Sequence, residues 1–164
     1  MTTTKQLLLF SLTFLLTSCS LVSPTPQPTT PTAISPPPAS GEESEVRNVV
    51  ERFGRKLQMV SLQSPNARED VRVQYSEFVS AELLQRWLYD PALAPGRIVS
   101  SPWPDRIEIA SITKKEPGQY TANGSVVEVT SMEVVSGGAA NKVPVQITLQ
   151  NMQGRWVITE YTHQ

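Results

Sequence analysis

The hydrophobic positions of this chain change their period part-way along. Between residues 45 and 62, Val46, Val49, Val50, Phe53, Leu57 and Val60 recur at three- and four-residue spacing, which predicts one amphipathic helix with a single apolar stripe. Ser44 is its expected N-cap, and Glu42, Glu43 and Glu45 suit the positive end of the helix dipole. Ser64-Pro65 reads as an N-cap followed by a first-turn proline, opening a second helix that turns Val71, Tyr75, Phe78 and Val79 inward. Ser80 restarts the pattern with Leu83, Leu84, Trp87 and Leu88, and Asp90-Pro91 stops it because the residue before a proline avoids the helical region.

Pro91, Pro95, Pro102 and Pro104 then make residues 91–106 a loop, with a short strand at Arg97 to Val99. Beyond it the period is two. Ile107, Ile109 and Ser111 alternate with Glu108 and Ala110, and Pro117-Gly118 supplies a turn. Tyr120 to Val135 reads as one long strand whose apolar parity changes at Val126-Val127, with Gly124 marking a bulge. Gly137-Gly138 and Asn141 turn the chain into the regular alternation of Val143, Val145, Ile147 and Leu149. A hairpin at Asn151 to Gly154 leads to a last strand with Trp156 and Ile158 inward. The expectation is an α+β domain over residues 42–164: three N-terminal helices packed on a curved four-stranded antiparallel sheet. A helix with one apolar stripe must bury it, and a sheet with one apolar face is its partner.

The front of the chain has a different character. Lys5 precedes an apolar run of Leu7, Leu8, Leu9, Phe10, Leu12, Phe14, Leu15 and Leu16, the shape of a signal-peptide core. The run is shorter than the roughly 20 apolar residues of a membrane-spanning helix. It ends in Leu16-Thr17-Ser18-Cys19, which resembles the bacterial lipobox. That resemblance implies removal of residues 1–18 and a diacylglyceryl group on Cys19, the chain's one cysteine. Two or more acyl chains at about 0.8 kcal/mol per buried CH₂ would hold the protein on a membrane, with the domain on the extracytoplasmic side. Ser20 is not an aspartate retention signal, so a cell membrane or, in a cell with two membranes, the outer membrane is the expected location.

Residues 19–41 complete the tether. Prolines at 24, 26, 28, 31, 36, 37 and 38 stand among uncharged residues, a composition that favours extended polyproline II and buries no core. At roughly 3.1 Å per residue its reach is about 70 Å.

Charge and composition narrow the function further. Loss of Lys5 from the 14 basic residues leaves 13 against 15 acidic ones, a net charge near −2 that argues against a general nucleic-acid binder. One cysteine permits no intrachain disulfide, and one cysteine with one histidine assembles neither a zinc site nor a Cys-His nucleophile. No Gly-rich phosphate loop and no Gly-x-Ser-x-Gly elbow occurs, and no cofactor is expected. Arg52, Arg55 and Lys56 alternate with acids and read as a solvated helix face.

The element order, with the closing strand Gly154-Arg155-Trp156-Val157-Ile158-Thr159, resembles the nuclear-transport-factor-2-like superfamily over about residues 44 to 162. The resemblance implies a cone, a curved sheet wrapped over helices. It also brings in enzymes resembling ketosteroid isomerase and scytalone dehydratase, whose cones are lined by Asp, Tyr or His. Here His163 stands next to the C-terminus, where a solvated side chain is expected. Acid-base chemistry would fall to Asp70, Asp90 or Asp105 with Tyr75, Tyr89, Tyr120 or Tyr161, and no spacing selects a pair. Trp103, set between Pro102 and Pro104, suits a lid over an apolar cavity or a recognition finger, with Arg106 and Tyr120 as further contact residues. The expected function is a non-catalytic binding or scaffolding lipoprotein for an envelope protein or an apolar ligand. The alternative is a small cone-fold enzyme using Asp/Tyr chemistry.

Overall fold

The computed structural model describes residues 40–164. The leader, Cys19 and the proline-rich segment through residue 39 lie outside the described residues.

The first helix, α1, spans Gly41–Gly54. Ser40 caps it, its Oγ accepting from the Glu43 amide at 3.2 Å, so the helix starts four residues before the expected Glu45. It also stops well short of Leu62. Gly54 lies against the sheet, where an added Cβ would stand 2.7 Å from the Ile107 nitrogen. The apolar spacing continues past this point because a 3₁₀ turn over Leu57–Met59 keeps Leu57 and Val60 buried.

Helix α2, Ala67–Tyr75, begins after a turn rather than at Ser64. The Ser64 hydroxyl accepts from the Asn66 amide at 3.1 Å and its carbonyl from the Ala67 amide at 3.0 Å. Val71, Tyr75, Phe78 and Val79 are all buried, as their spacing requires. Ser80 caps α3, Ala81–Tyr89, by accepting from the Leu83 amide at 3.2 Å, and Leu83 and Trp87 face the core. Asp90 ends α3 and caps a 3₁₀ turn at Pro91–Leu93.

Four antiparallel strands follow in sequential order: β1 Trp103–Glu116, β2 Gln119–Val129, β3 Asn141–Met152 and β4 Arg155–His163. Two boundaries differ from the sequence expectation. Strand β1 takes in Trp103 to Arg106, and the strand expected at Arg97 to Val99 is a single parallel bridge between Arg97 and Ser61. Strand β2 ends at Val129, and Ser131–Ser136 form a short helix, α4. A capping box drives this change: the Thr130 hydroxyl accepts from the Met132 amide at 3.2 Å, and the Glu133 carboxylate from the Thr130 amide at 2.8 Å. Val134 and Val135 suggested strand, but local capping prevails.

The expected bulge lies across from Gly124 rather than on it. Ile109 faces Gly124 and Ser111 faces Asn123, leaving Ala110 as the extra residue of β1. A Cβ at Gly124 would stand 2.3 Å from the Glu108 carbonyl oxygen, so glycine is what lets the bulged strand approach. An irregularity between β3 and β4 leaves Thr159 unpaired and changes the side-chain parity, so that Trp156, Ile158 and Tyr161 all turn toward the core.

Aromatic side chains fill the space between helices and sheet. The Phe53 ring centroid lies 5.0 Å from Tyr75, 6.0 Å from Phe78, 6.4 Å from Trp87 and 6.1 Å from Tyr161. Strand pairing gives the sheet two distinct ends. One carries the turns at Pro117-Gly118 and Gln153-Gly154; the other, here the open end, carries Trp103, Val129, Asn141 and His163.

Candidate functional site

A pocket of ≈ 410 Å³ occupies the open end. Its sheet side is made by Val126 and Val143, paired in register on β2 and β3, with Pro104 and Tyr161 beside them. Its other wall is the strap that follows α3, contributing Ala94, Pro95 and Ile98, together with Leu57 and Leu62.

The strap is held by backbone bonds. The Arg97 amide donates to the Val60 carbonyl at 2.8 Å, and the Leu62 amide to the Arg97 carbonyl at 2.9 Å. Gly96 fits because any Cβ would come within 2.9 Å of the Val60 oxygen. The Tyr75 hydroxyl donates to the Pro95 carbonyl at 2.6 Å, fixing the strap to the core.

The polar groups of the pocket are few. Glu128 stands at the rim, accepting from the Asn141 side-chain amide at 2.8 Å. His163 meets the Tyr161 ring edge-on at 5.2 Å, so this histidine is exposed but held in the last strand opposite Val145 rather than frayed. The Tyr161 hydroxyl is shut off from solvent and has no hydrogen-bond partner among the described residues. Burial pushes its phenol far above the ordinary value. An unpaired buried hydroxyl costs about 1–3 kcal/mol, so Tyr161 is an under-satisfied member of the core beside this pocket. Predominantly apolar walls with a few polar groups are the usual make-up of a small-ligand or side-chain pocket.

The residues singled out from the sequence do not all meet here. Trp103 starts β1 opposite Val129 and is half-buried, so the expected loop lid is part of the sheet; its neighbour Pro104, not its indole, lines the pocket. Arg106 is bound on β1 by Asp105 at 2.9 Å and Glu108 at 2.6 Å. Lys142 reaches the same Glu108 at 2.6 Å. Hydrogen bonds from Lys142 and then Arg106 hold the Glu108 carboxyl below the usual carboxylate range. Tyr120 lies at the turn end, about 30 Å from Val129 at the strand rise of roughly 3.4 Å per residue. It is buried, donates to Glu42 Oε2 at 3.2 Å and meets the Trp156 ring edge-on at 5.3 Å.

The carboxylates considered for acid-base work also lie elsewhere. Asp70 is on α2, Asp90 caps the Ala92 amide and Asp105 is paired with Arg106. Tyr89 is 89% exposed and Tyr75 is committed to Pro95. Arg52 is occupied by Glu77 at 3.3 Å and by the face of Phe78. Glu128 was invisible as a site residue, because a glutamate on the polar side of a strand carries no local signal. Val126 and Val143 were visible as inward positions, but not as a pocket wall. No helix of the described residues is long and apolar enough to cross a membrane.

No protein-family model matches the chain, and no match was found among curated proteins. Among solved structures it is similar to the chain called Rd1NTF2_05 in a form with five substitutions, with a TM-score of 0.40 and 13% identity over 75% of this chain and 99% of that one. It is also similar to the intermembrane space region of the chloroplast protein ARC6, with a TM-score of 0.38 and 13% identity over 77% of this chain and 98% of that one. Neither likeness bears on function. The domain is α+β, combining helices with a four-stranded antiparallel sheet.

Proposed function

We propose that this chain is a lipid-anchored extracytoplasmic lipoprotein whose domain is a non-catalytic binding module, held by Cys19 and a proline-rich tether. The domain is read as a nuclear-transport-factor-2-like cone whose mouth is the open-end pocket. The observation that carries the binding reading is the apolar lining of that pocket above an interior already filled by Phe53, Tyr75 and Trp87. A catalytic cone needs a deep cavity with convergent polar groups. A filled one suits capture of a small apolar ligand, or of an apolar side chain from an envelope protein.

One observation favours the enzyme alternative: Glu128, Tyr161 and His163 line the same pocket. Acetophenone, a small apolar ketone, separates the two readings. The binding reading expects it to bind unchanged in chemistry, to be excluded by Val143→Arg, and to bind as well when Glu128 is replaced by Gln. Proton exchange at its methyl group that depends on Glu128 would establish the enzyme instead. The anchor has its own test. Cys19→Ser should leave an uncleaved or soluble precursor, and recovery of that variant in membranes at the wild-type level and mature mass would refute lipidation.

A further inference from the structure

The open end carries a second feature beside its pocket. Six aliphatic side chains on its loops keep more than half their surface in water: Leu93 (64%), Ile98 (63%), Val99 (53%), Met132 (71%), Val134 (63%) and Val135 (89%). Single exposed aliphatics are ordinary, but a group of them on neighbouring loops is a mark of an interaction surface. Leu93 and Ile98 stand on the pocket rim, and Val99 follows them. Helix α4 leaves the sheet at Val129, directly opposite Trp103.

These loops are built to hold their shape. The capping box of Thr130 and Glu133 starts α4, and the Gly137 amide closes it on the Glu133 carbonyl at 2.8 Å. The only acid within α4, Glu133, is turned back onto Thr130, where hydrogen bonds from the Thr130 hydroxyl and then its amide hold its carboxyl below the usual range. The helix therefore offers Met132, Val134 and Val135 with its carboxylate engaged.

We propose that the open end docks on the bilayer that carries the lipid anchor, its aliphatic loops entering the boundary between headgroups and acyl chains. This rests on the anchor reading of Cys19. The bilayer is the surface to which the chain outside the described residues leads, through residues 19–39 from the proposed lipid on Cys19. Helix α1 begins at the turn end, where Glu42 meets Lys114 and Glu45 meets Trp156. Docking of the open end requires a tether able to span the length of the sheet, about 40 Å for a twelve-residue strand at roughly 3.3 Å per residue. An extended reach of about 70 Å allows it. Tethering also raises the local concentration of bilayer to the point where a contact too weak to hold a free protein is occupied. The half-buried indole of Trp103, between the two loops, has the amphipathic character that favours a membrane interface.

Chemical attachment separates docking from anchoring. The chain from Cys19 onward retains the whole described unit and one thiol, which can be coupled to a maleimide phospholipid in phosphatidylethanolamine–phosphatidylglycerol vesicles. Trp87 and Trp156 are buried, so Trp103 is the tryptophan that reports on the open end. With dibrominated acyl chains in the vesicles, docking predicts quenching and a blue shift of Trp103 emission. The double variant Val134→Asp, Val135→Asp should lose the quenching and keep its thermal unfolding temperature. Absence of quenching in the unaltered chain, or quenching that survives in the variant, would overturn the proposal. So would self-association of the uncoupled chain that the same variant abolishes, since the surface would then belong to a second copy. Because the attachment is chemical, none of these results depends on lipidation in the cell, which Cys19→Ser tests separately.

Discussion

The two ends of the sheet are finished in opposite ways. At the turn end, Gln153 and Gly154 take the positive φ values of 55° and 83°, and the Asn151 side chain accepts from the Gly154 amide at 2.9 Å. Helix α1 is secured there by Glu42, bound to Lys114 at 2.7 Å and Tyr120 at 3.2 Å, and by Glu45, which accepts from the Trp156 indole at 3.1 Å. At the open end, the Tyr161 hydroxyl is unpaired and aliphatic side chains stand in water. One end gathers satisfied contacts that hold the helices on the sheet. The other leaves aliphatic side chains in water that a ligand or surface could cover, which is the usual exception natural proteins make at functional sites.

The largest expected effect comes from the turn end. Trp156→Ala removes a buried indole set edge-on to Tyr120 and bonded to Glu45, and should cost about 3–5 kcal/mol in chemical denaturation. Trp103→Ala, from a half-buried position at the open end, should cost less. Equal losses would erase the contrast between the ends.

Gly124→Ala should cost about 1–3 kcal/mol, because its Cβ would meet the Glu108 backbone across the bulge at 2.3 Å and the strands must part. Denaturant midpoints check this, and a neutral result would mean that the bulge at Ala110 is not held by the close approach.

A pair of tyrosines sharpens the comparison at closer range. Tyr75→Phe frees the Pro95 carbonyl of its partner and should destabilise by about 1–2 kcal/mol. Tyr161→Phe removes a hydroxyl that has no partner and should leave stability unchanged or raise it by up to about 1 kcal/mol.

Both phenols titrate above their ordinary value, Tyr75 through burial and then the neighbouring Tyr161, and Tyr161 through burial. Raised folded values mean that their stabilising contribution is complete below a pH of about 10, the ordinary phenol value, and is lost above it as the unfolded chain ionises first. Thermal unfolding followed against pH should therefore fall on the alkaline side, and Tyr161→Phe should make that fall shallower. The acid side is expected to show the smallest effect. Glu42 is held low by hydrogen bonds from Lys114 and then Tyr120, so its contribution is present above the ordinary carboxylate value and fades as pH drops below it. It is a solvent-exposed pair, and salt should screen it.

Periodic positions were the most legible part of the chain. Val71, Tyr75, Phe78 and Val79, then Leu83 and Trp87, then Val145, Ile147 and Leu149 are buried as their spacing demands, because burial of an apolar face overrides most local preferences. Boundaries were less legible where local capping or a distant backbone decided them. Ser40 displaced Ser44 as the cap of α1, and Ile107 determined where Gly54 had to stand. The Thr130-Glu133 capping box, passed over in reading Tyr120 to Val135 as one strand, outweighed the two valines that suggested strand. The site was hardest to read. Its wall joins Leu57, Val126, Val143 and Tyr161, residues brought together by a 3₁₀ turn, a hairpin and the irregularity at Thr159 that no pattern within one strand reveals. Trp103 drew attention through its flanking prolines, but pairing with Val129 made it part of the sheet.

The central claim is that binding belongs to the open end. Backbone amide and methyl NMR of the isotopically labelled chain, titrated with acetophenone, tests it most directly. Binding at the open end predicts saturable shifts at Val126, Val143 and Tyr161, none at Trp156 or Tyr120, and loss of those shifts in Val143→Arg. Shifts that gather at the turn end around Trp156, or that persist in Val143→Arg, would contradict it.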